Sequence, residues 1–176
     1  MNNSIDVDGF ATHQVPLISA VLQTRGPVIE FGAGHYSTPL LHELCHDRML
    51  ITIDDSADWL LNFAHLKTEL HHLLFCEDGN WEKGAQVIDS MLIVQPSIVF
   101  VDQGGQDTVR TVPITHYKGK ADLIIVHDSN VEAYNLKPLF DTFKYQFEYT
   151  AEVLHTMVLS DVAQFSLNNT TGGKVR

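Results

Sequence analysis

Four apolar segments of the chain each end at a carboxylate residue. These residues are Glu30, Asp54, Asp102 and Asp128. The carboxyl ends of parallel strands meet at one edge of a sheet, and ligands bind in the crevice outside that edge. A buried carboxylate is costly unless it has a partner. The sequence therefore predicts one crevice that is surrounded by these acids.

Asp102, His127 and Asp128 are the candidate catalytic residues. Carboxylates can hold a divalent cation, and an imidazole titrates near neutral pH and can take a proton from a substrate hydroxyl. Strand alternation directs His127 and Asp128 to opposite faces unless the strand has ended before Asp128. The alternative is that His127 is a packed core histidine and Asp128 caps the following segment.

The segment from Val28 to Thr38 has the pattern of a strand, a glycine turn and a helix start. Gly32 and Gly34 allow the backbone to turn sharply and leave room for a ligand. Thr38 is predicted to cap a helix whose first residue is Pro39. The N-terminus of that helix would present unpaired N–H groups to a polar or anionic small molecule.

Asp54 is a second candidate binding residue, because it lies twenty residues after Gly34. Nucleotide-binding α/β folds place a carboxylate at this spacing to contact ribose hydroxyls. The alternative is local, since Asp55 or Ser56 could cap the helix that follows. Both interpretations are compatible, with Asp54 on the ribose and its neighbour on the helix.

The motif Glu-x-Gly-x-Gly-x-x-Ser-Thr, which begins at Glu30, resembles the first motif of class I S-adenosylmethionine-dependent methyltransferases. The frequent third glycine of that family is replaced by Tyr36. In the family, the acid and the glycine loop hold the methionine end of the cofactor. The resemblance implies cofactor contacts at Glu30, Gly32, Ala33, Gly34, Ser37, Thr38, Asp54 and Asp102.

The order of predicted elements agrees with the resemblance. Strands are predicted over 28–31, 49–53, 70–76, 97–102 and 121–128, with a C-terminal antiparallel hairpin near 147–153 and 156–159. Helices are predicted over 16–23, after Thr38, after Ser56, around 85–91 and within 131–145, and a further helix is predicted with Arg110 on its opening turns. The expected fold is α/β, a three-layer Rossmann-like doubly wound sheet that is mostly parallel with one reversed strand near the C-terminus. We expect a single domain over 1–176, with a core over about 16–160 and a loose tail over 168–176.

The resemblance implies methyl transfer from S-adenosylmethionine to a small molecule, with a hydroxyl oxygen as the acceptor. The fourth and fifth strand ends look like those of small-molecule O-methyltransferases. Catechol-type members, which use a divalent metal, usually have Asn directly after the second acid, whereas Ser129 precedes Asn130 here. The sequence therefore favours a metal-independent site in which His127 takes the proton, with a divalent metal as the alternative.

Two other functions remain compatible with the sequence. An NAD(P)-dependent oxidoreductase shares the layered sheet and the ribose carboxylate, although Ser37 stands where its third glycine would lie. A non-catalytic cofactor-binding domain would keep the fold without the chemistry.

Bulk composition restricts the partners. The formal net charge of −11 argues against a nucleic-acid surface, which is normally basic. The two cysteines do not form a metal or disulfide pattern, and the sequence shows no signal peptide and no membrane-spanning run. We therefore expect a cytoplasmic protein that does not bind membranes, while the sequence gives no indication of its oligomeric state.

Overall fold

The computed structural model describes residues 11–104 and 109–167, which form a seven-stranded sheet with helices on both faces. The strands are β1 Val28–Phe31, β2 Leu50–Asp54, β3 His71–Phe75, β4 Ile98–Val101, β5 Leu123–His127, β6 Tyr145–Tyr149 and β7 Thr156–Ser160. The α-helices are α1 Gln14–Gln23, α2 Thr38–Leu44, α3 Ala57–Leu61, α4 Trp81–Met91, α5 Thr111–Tyr117 and α6 Lys137–Phe140. Short 3-10 turns cover Ala64–Leu66, Glu77–Gly79 and Glu132–Tyr134.

The strand order across the sheet is β3-β2-β1-β4-β5-β7-β6. Strands β1 to β5 pair in parallel, whereas β7 is antiparallel to both of its neighbours. The prediction of a mostly parallel α/β sheet with one reversed strand near the C-terminus is confirmed.

Strand register explains why the polar residues meet. Phe31 of β1 lies opposite Ile53 of β2 and Val101 of β4, and Val101 lies opposite Val126 of β5. The next residue along each strand is therefore at the same level of the sheet. These next residues are Gly32, Asp54, Asp102 and His127.

Apolar side chains on each face of the sheet form a buried core. On one face, Phe31 and Val101 pack with residues of α4 and α5. On the other face, Val28 and Phe100 pack with residues of α1 and α2. Because both faces are covered, β4 and β5 are continuously apolar until their carboxyl ends, whereas β1 contains the buried Glu30 and β2 the buried Thr52.

Two helix boundaries differ from the sequence prediction. Helix α1 begins two residues before Pro16, at Gln14. Helix α4 begins at Trp81, four residues before the predicted start, because the Asn80 side chain accepts a hydrogen bond from the Lys83 N–H and caps it.

The predicted cap of α2 is wrong. Ser37 occupies the N-cap position without a side-chain cap bond, and Thr38 is the first helical residue. The Thr38 hydroxyl donates to Glu30 and accepts from the Gly34 N–H, so it is already used within the glycine loop. Of the two predicted caps of α3, Ser56 fills the position, since its side chain accepts from the Trp59 N–H.

The buried core extends beyond residue 160. Phe165 is buried on the α1 and α2 face and its ring lies 5.2 Å from that of Phe147. The tail predicted over 168–176 lies outside the described residues. None of the helices in 11–104 and 109–167 is long and apolar enough to span a membrane.

Candidate functional site

The glycine loop after β1 lies directly against the chain after β4. Gly32 has φ +91°, a conformation that side chains disfavour. A Cβ atom there would lie within 2.4–2.6 Å of backbone atoms of Asp102 and Gln103. Gly32 is therefore required both by its backbone angle and by the close approach of two strand ends.

Asp54 connects the glycine loop to the end of β2. Its Oδ2 accepts from the Ala33 N–H at 2.9 Å, and its Oδ1 accepts from the Ser56 N–H at 2.9 Å. Burial raises the pKa of Asp54, and these backbone amides partly offset the rise. A carboxylate has about four acceptor positions, so Asp54 can accept further bonds from a ligand.

Trp59 of α3 contacts this loop, and the sequence did not indicate that contact. Its indole N–H donates to the Ala33 carbonyl at 2.7 Å, and its ring packs edge-on against His35. Helical spacing identified Trp59 only as part of α3. The hydrogen bond forms because α3 folds back over the loop, which spacing along the chain does not reveal.

Glu30 lies beneath the glycine loop and is fully buried. Its Oε2 accepts from the Thr38 and Thr52 hydroxyls at 2.9 and 2.7 Å. Thr38 in turn accepts from the Gly34 N–H at 2.9 Å. Burial raises the pKa of Glu30 to about 7, and the hydroxyls of Ser37, Thr52 and Thr38 oppose that rise. Glu30 is therefore connected to the glycine loop through the Thr38 hydroxyl.

Asp102, His127 and Asp128 converge at the ends of β4 and β5. His127 Nδ1 lies 3.0 Å from Asp102 Oδ1, and its Nε2 lies 3.4 Å from Asp128 Oδ1. Alternation does not separate the two neighbours, because β5 ends at His127 and Asp128 has φ 55°. Burial raises the pKa of Asp128, and His127 and Arg110 partly offset the rise.

Arg110 joins these strand ends from the start of α5. Its guanidinium is buried, donates to the His127 carbonyl at 2.6 Å, and lies 3.4 Å from both Asp102 Oδ1 and Asp128 Oδ2. The Tyr134 ring covers it at 4.3 Å. The guanidinium therefore compensates part of the negative charge of the two acids.

The sequence did not identify two site residues that precede α1. The Thr12 hydroxyl lies 2.8 Å from His127 Nε2, and the His13 ring is edge-on to the His127 ring at 4.6 Å. Both residues are buried. Thr12 is 115 positions from His127 along the chain, so no local pattern could indicate this contact.

Several solved structures are similar to this chain. An rRNA methylase from Streptococcus thermophilus has a TM-score of 0.61 at 11% identity, and the match covers 85% of this chain and 95% of that one. A Staphylococcus aureus protein, provisionally described as a caffeoyl-CoA O-methyltransferase, has a TM-score of 0.60 at 10% identity, covering 84% and 82%. Human methyltransferase-like protein 13, solved with S-adenosylhomocysteine (SAH), has a TM-score of 0.54 at 12% identity, covering 93% and 82%.

The chain has the fold of the class I methyltransferases. This methyltransferase fold has an antiparallel β7 between β5 and β6, whereas the classic dinucleotide-binding order is a parallel 3-2-1-4-5-6. No protein-family model matches the sequence, and a search of curated proteins gives no significant match.

Proposed function

We propose that the protein transfers a methyl group from S-adenosylmethionine to a hydroxyl oxygen of a small molecule. The observation that carries the proposal is the hydrogen bond between the Ala33 N–H and Asp54, which holds the glycine loop against the end of β2. A loop and an acid held together at adjacent strand ends can contact both ends of a nucleoside cofactor. The human protein of similar fold named above was solved with SAH, the demethylated form of this cofactor.

The charge of the crevice favours this cofactor over a dinucleotide. Asp54, Asp102 and Asp128 all lie at the carboxyl ends of strands, and Arg110 is already engaged by two of them. S-adenosylmethionine carries a positive sulfonium, which an acidic site attracts. A pyrophosphate would instead be repelled by the same acids. The charge of the site and the position of β7 therefore both favour a methyltransferase over an oxidoreductase.

In the proposed complex, the loop from Gly32 to Gly34 contacts the methionine end and Asp54 accepts from the ribose hydroxyls. The backbone of Asp102 lies against the loop at the same edge of the sheet. Glu30, Ser37 and Thr38 act from below, since all three are buried. The cofactor supplies the methyl group, while the protein orients the acceptor oxygen in line with it.

The proton of the acceptor hydroxyl is taken by His127 Nε2, within the cluster of Asp102, His127 and Asp128. Asp102 orients the His127 ring through Nδ1, as a carboxylate does for a general base. Thr12 covers Nε2 at 2.8 Å. An acceptor hydroxyl would therefore have to take the place of the Thr12 hydroxyl to reach this nitrogen.

Calorimetric titration with S-adenosylmethionine, SAH, NAD and NADP tests the cofactor assignment. We expect binding of the first two only. Asp54→Asn should weaken binding by roughly 1.5–3 kcal/mol, about tenfold to a hundredfold, because a charge-assisted hydrogen bond is lost. Asp58→Asn is the matched control, since Asp58 is exposed on α3. Binding of NAD alone would overturn the proposal.

A second experiment tests turnover and acceptor class. The release of SAH would be measured with a panel of phenols and alcohols, and with ribosomal RNA as a separate substrate. We expect turnover with a hydroxyl compound and none with RNA, given the net charge of −11. Cofactor binding without turnover on any acceptor would support the non-catalytic alternative.

A further inference from the structure

His13 is a buried imidazole whose polar atoms are unused. The residue is 1% exposed, and neither ring nitrogen has a hydrogen-bond partner among the described residues. Burial and the neighbouring His127 lower the pKa of His13 to about 4, while Asp102 and the Tyr36 backbone partly oppose the shift. A neutral ring with a free lone pair therefore faces the polar cluster. Buried polar groups without partners are rare in proteins, and an ion is one common explanation.

The surrounding atoms have the spacing of metal ligands. One ring nitrogen of His13, one of His127 and one carboxylate oxygen of Asp102 all lie within 4.8 Å of one another. His127 Nδ1 and Asp102 Oδ1 are 3.0 Å apart. Two ligand atoms that are each about 2.1 Å from a tetrahedral ion are separated by about 3.4 Å. This pair would need to move apart by roughly 0.4 Å to share such an ion.

The other ring nitrogen of His127 has the partners expected for a metal-bound histidine. Its Nε2 lies 2.8 Å from the Thr12 hydroxyl and 3.4 Å from Asp128 Oδ1. A histidine that binds a metal through one nitrogen usually donates its other N–H to a carboxylate or similar acceptor. Thr12 would thus orient the ligand without binding the ion, while Asp128 adds negative charge nearby without a hydrogen bond to the ring.

The net charge of the cluster also favours the binding of a cation. Asp102 and Asp128 bring two negative charges, and Arg110 brings one positive charge at 3.4 Å from each. With both histidines neutral, the cluster carries one net negative charge. A divalent ion would be attracted there. The competing arrangement is a protonated His127 between the two acids, which would balance the charge without any metal.

We propose that His13, Asp102 and His127 bind one Zn²⁺ ion. Two imidazoles and one carboxylate suit Zn²⁺ and other transition metals, whereas Mg²⁺ prefers an all-oxygen site. This set differs from the Asp102 and Asp128 pair that the sequence resemblance suggested. The sequence disfavoured a metal because Ser129 occupies the position of the third ligand, but the fold supplies His13 from the start of α1.

Metal binding to the full chain can be measured without any methyl acceptor, so this proposal can fail or succeed independently of the cofactor assignment. A neutral His127 that binds Zn²⁺ through Nδ1 carries its proton on Nε2 and cannot be the base, so the metal-bound chain would not use the proton transfer proposed above. The protein would be stripped with a chelator and titrated with Zn²⁺ and with Mg²⁺ by calorimetry, with the bound metal counted by elemental analysis. We expect one Zn²⁺ per chain at micromolar affinity or better, and no Mg²⁺ binding at millimolar concentration. His13→Gln should weaken Zn²⁺ binding at least tenfold.

His155→Gln is the matched control, because His155 forms a surface pair with Glu148 at 2.8 Å. Its Zn²⁺ affinity should equal that of the unaltered chain. Equal affinity of the His13→Gln variant would overturn the proposal, as would Mg²⁺ binding that His13→Gln leaves unchanged. Circular dichroism would establish that each variant is folded.

Ring ¹⁵N NMR of the unaltered chain gives a test that needs no variant. Of the ten histidines, two should shift to metal-bound values when one equivalent of Zn²⁺ is added. Shifts confined to exposed rings such as His46 would overturn the proposal. A His127 ring that keeps both protons in the presence of Zn²⁺ would do so as well, and would support the charge balance by imidazolium.

Discussion

At the scale of the residue, Glu30 combines a motif position with an unusual environment. The sequence places it at the start of a cofactor motif, and the structure encloses it fully between two threonine hydroxyls. Its Oε1 has no hydrogen-bond partner among the described residues. Holding a charge there is costly, which is why its pKa is raised to about 7 from an ordinary 4.5.

Glu30→Gln should change how stability depends on pH. Between pH 4.5 and about 7, the folded chain keeps the Glu30 proton that the unfolded chain releases, so stability falls as the pH rises through this range. The full penalty, on the order of 3 kcal/mol, applies above pH 7. Gln has no charge to bury and avoids this penalty. The unfolding free energy of the variant, relative to that of the original chain, should therefore rise between pH 4.5 and 8.

Urea denaturation at several pH values measures this shift, and Glu43→Gln is the control because Glu43 is exposed. Parallel pH profiles for the original chain and Glu30→Gln would contradict the expectation. Cofactor affinity should change little, since Glu30 is fully buried and is connected to the glycine loop through Thr38.

His127 carries the second prediction at this scale. His127→Gln should lower kcat by about 10²- to 10⁴-fold, the usual effect of losing a group that handles a proton. Affinity for S-adenosylmethionine should change less than threefold, because Asp54 and the glycine loop are untouched. SAH release gives kcat and calorimetry gives affinity, with His46→Gln as an exposed control. An equal loss of both quantities would indicate that His127 is structural.

At the scale of the element, the site depends on how closely the loops after β1 and β4 approach. The Gly32 conformation places the loop backbone against Gln103, and Asp102 donates its N–H to the Phe31 carbonyl at 2.8 Å. These contacts fix the separation of two strand ends. Arg110 does the same for β4 and β5.

Gly32→Ala should therefore destabilise the protein more than an ordinary glycine substitution. Gly119→Ala is the matched control, since Gly119 also has positive φ, at +70°, but no atom lies within 4 Å of its Cβ position. The control should lose about 1–2 kcal/mol from backbone strain alone. Gly32→Ala should lose roughly 2 kcal/mol more from the clash and also bind S-adenosylmethionine more weakly. Equal losses in thermal unfolding would show that the two loops can separate without cost.

At the scale of the whole molecule, the chain after β7 folds back and completes the core. Phe165 is 6% exposed and packs against Phe147 of β6. The sequence prediction ended the core at about residue 160. The short segment 161–167 after β7 has no periodic pattern, and one aromatic residue in it gives no indication of burial.

Phe165→Ala should lower the unfolding free energy by about 3 kcal/mol, since it removes a buried aromatic ring. Val162→Ala should change it by less than about 0.5 kcal/mol, because Val162 is 57% exposed. Urea denaturation compares the two variants. If both lose the same small amount, the segment after residue 160 contributes little to the core.

The sequence by itself determined the element order, the parallel sheet and the level at which the polar residues lie. Continuous apolar strands with polar ends depend on local composition, and register then places Gly32, Asp54, Asp102 and His127 side by side. The tertiary structure alone decided which side chains face each other. In the folded chain Glu30 is fully buried, Asp128 has a positive φ that directs it toward His127, and His13 lies beside Asp102 and His127. Such contacts join residues far apart in the chain, and they depend on helix packing and backbone angles that no local pattern specifies.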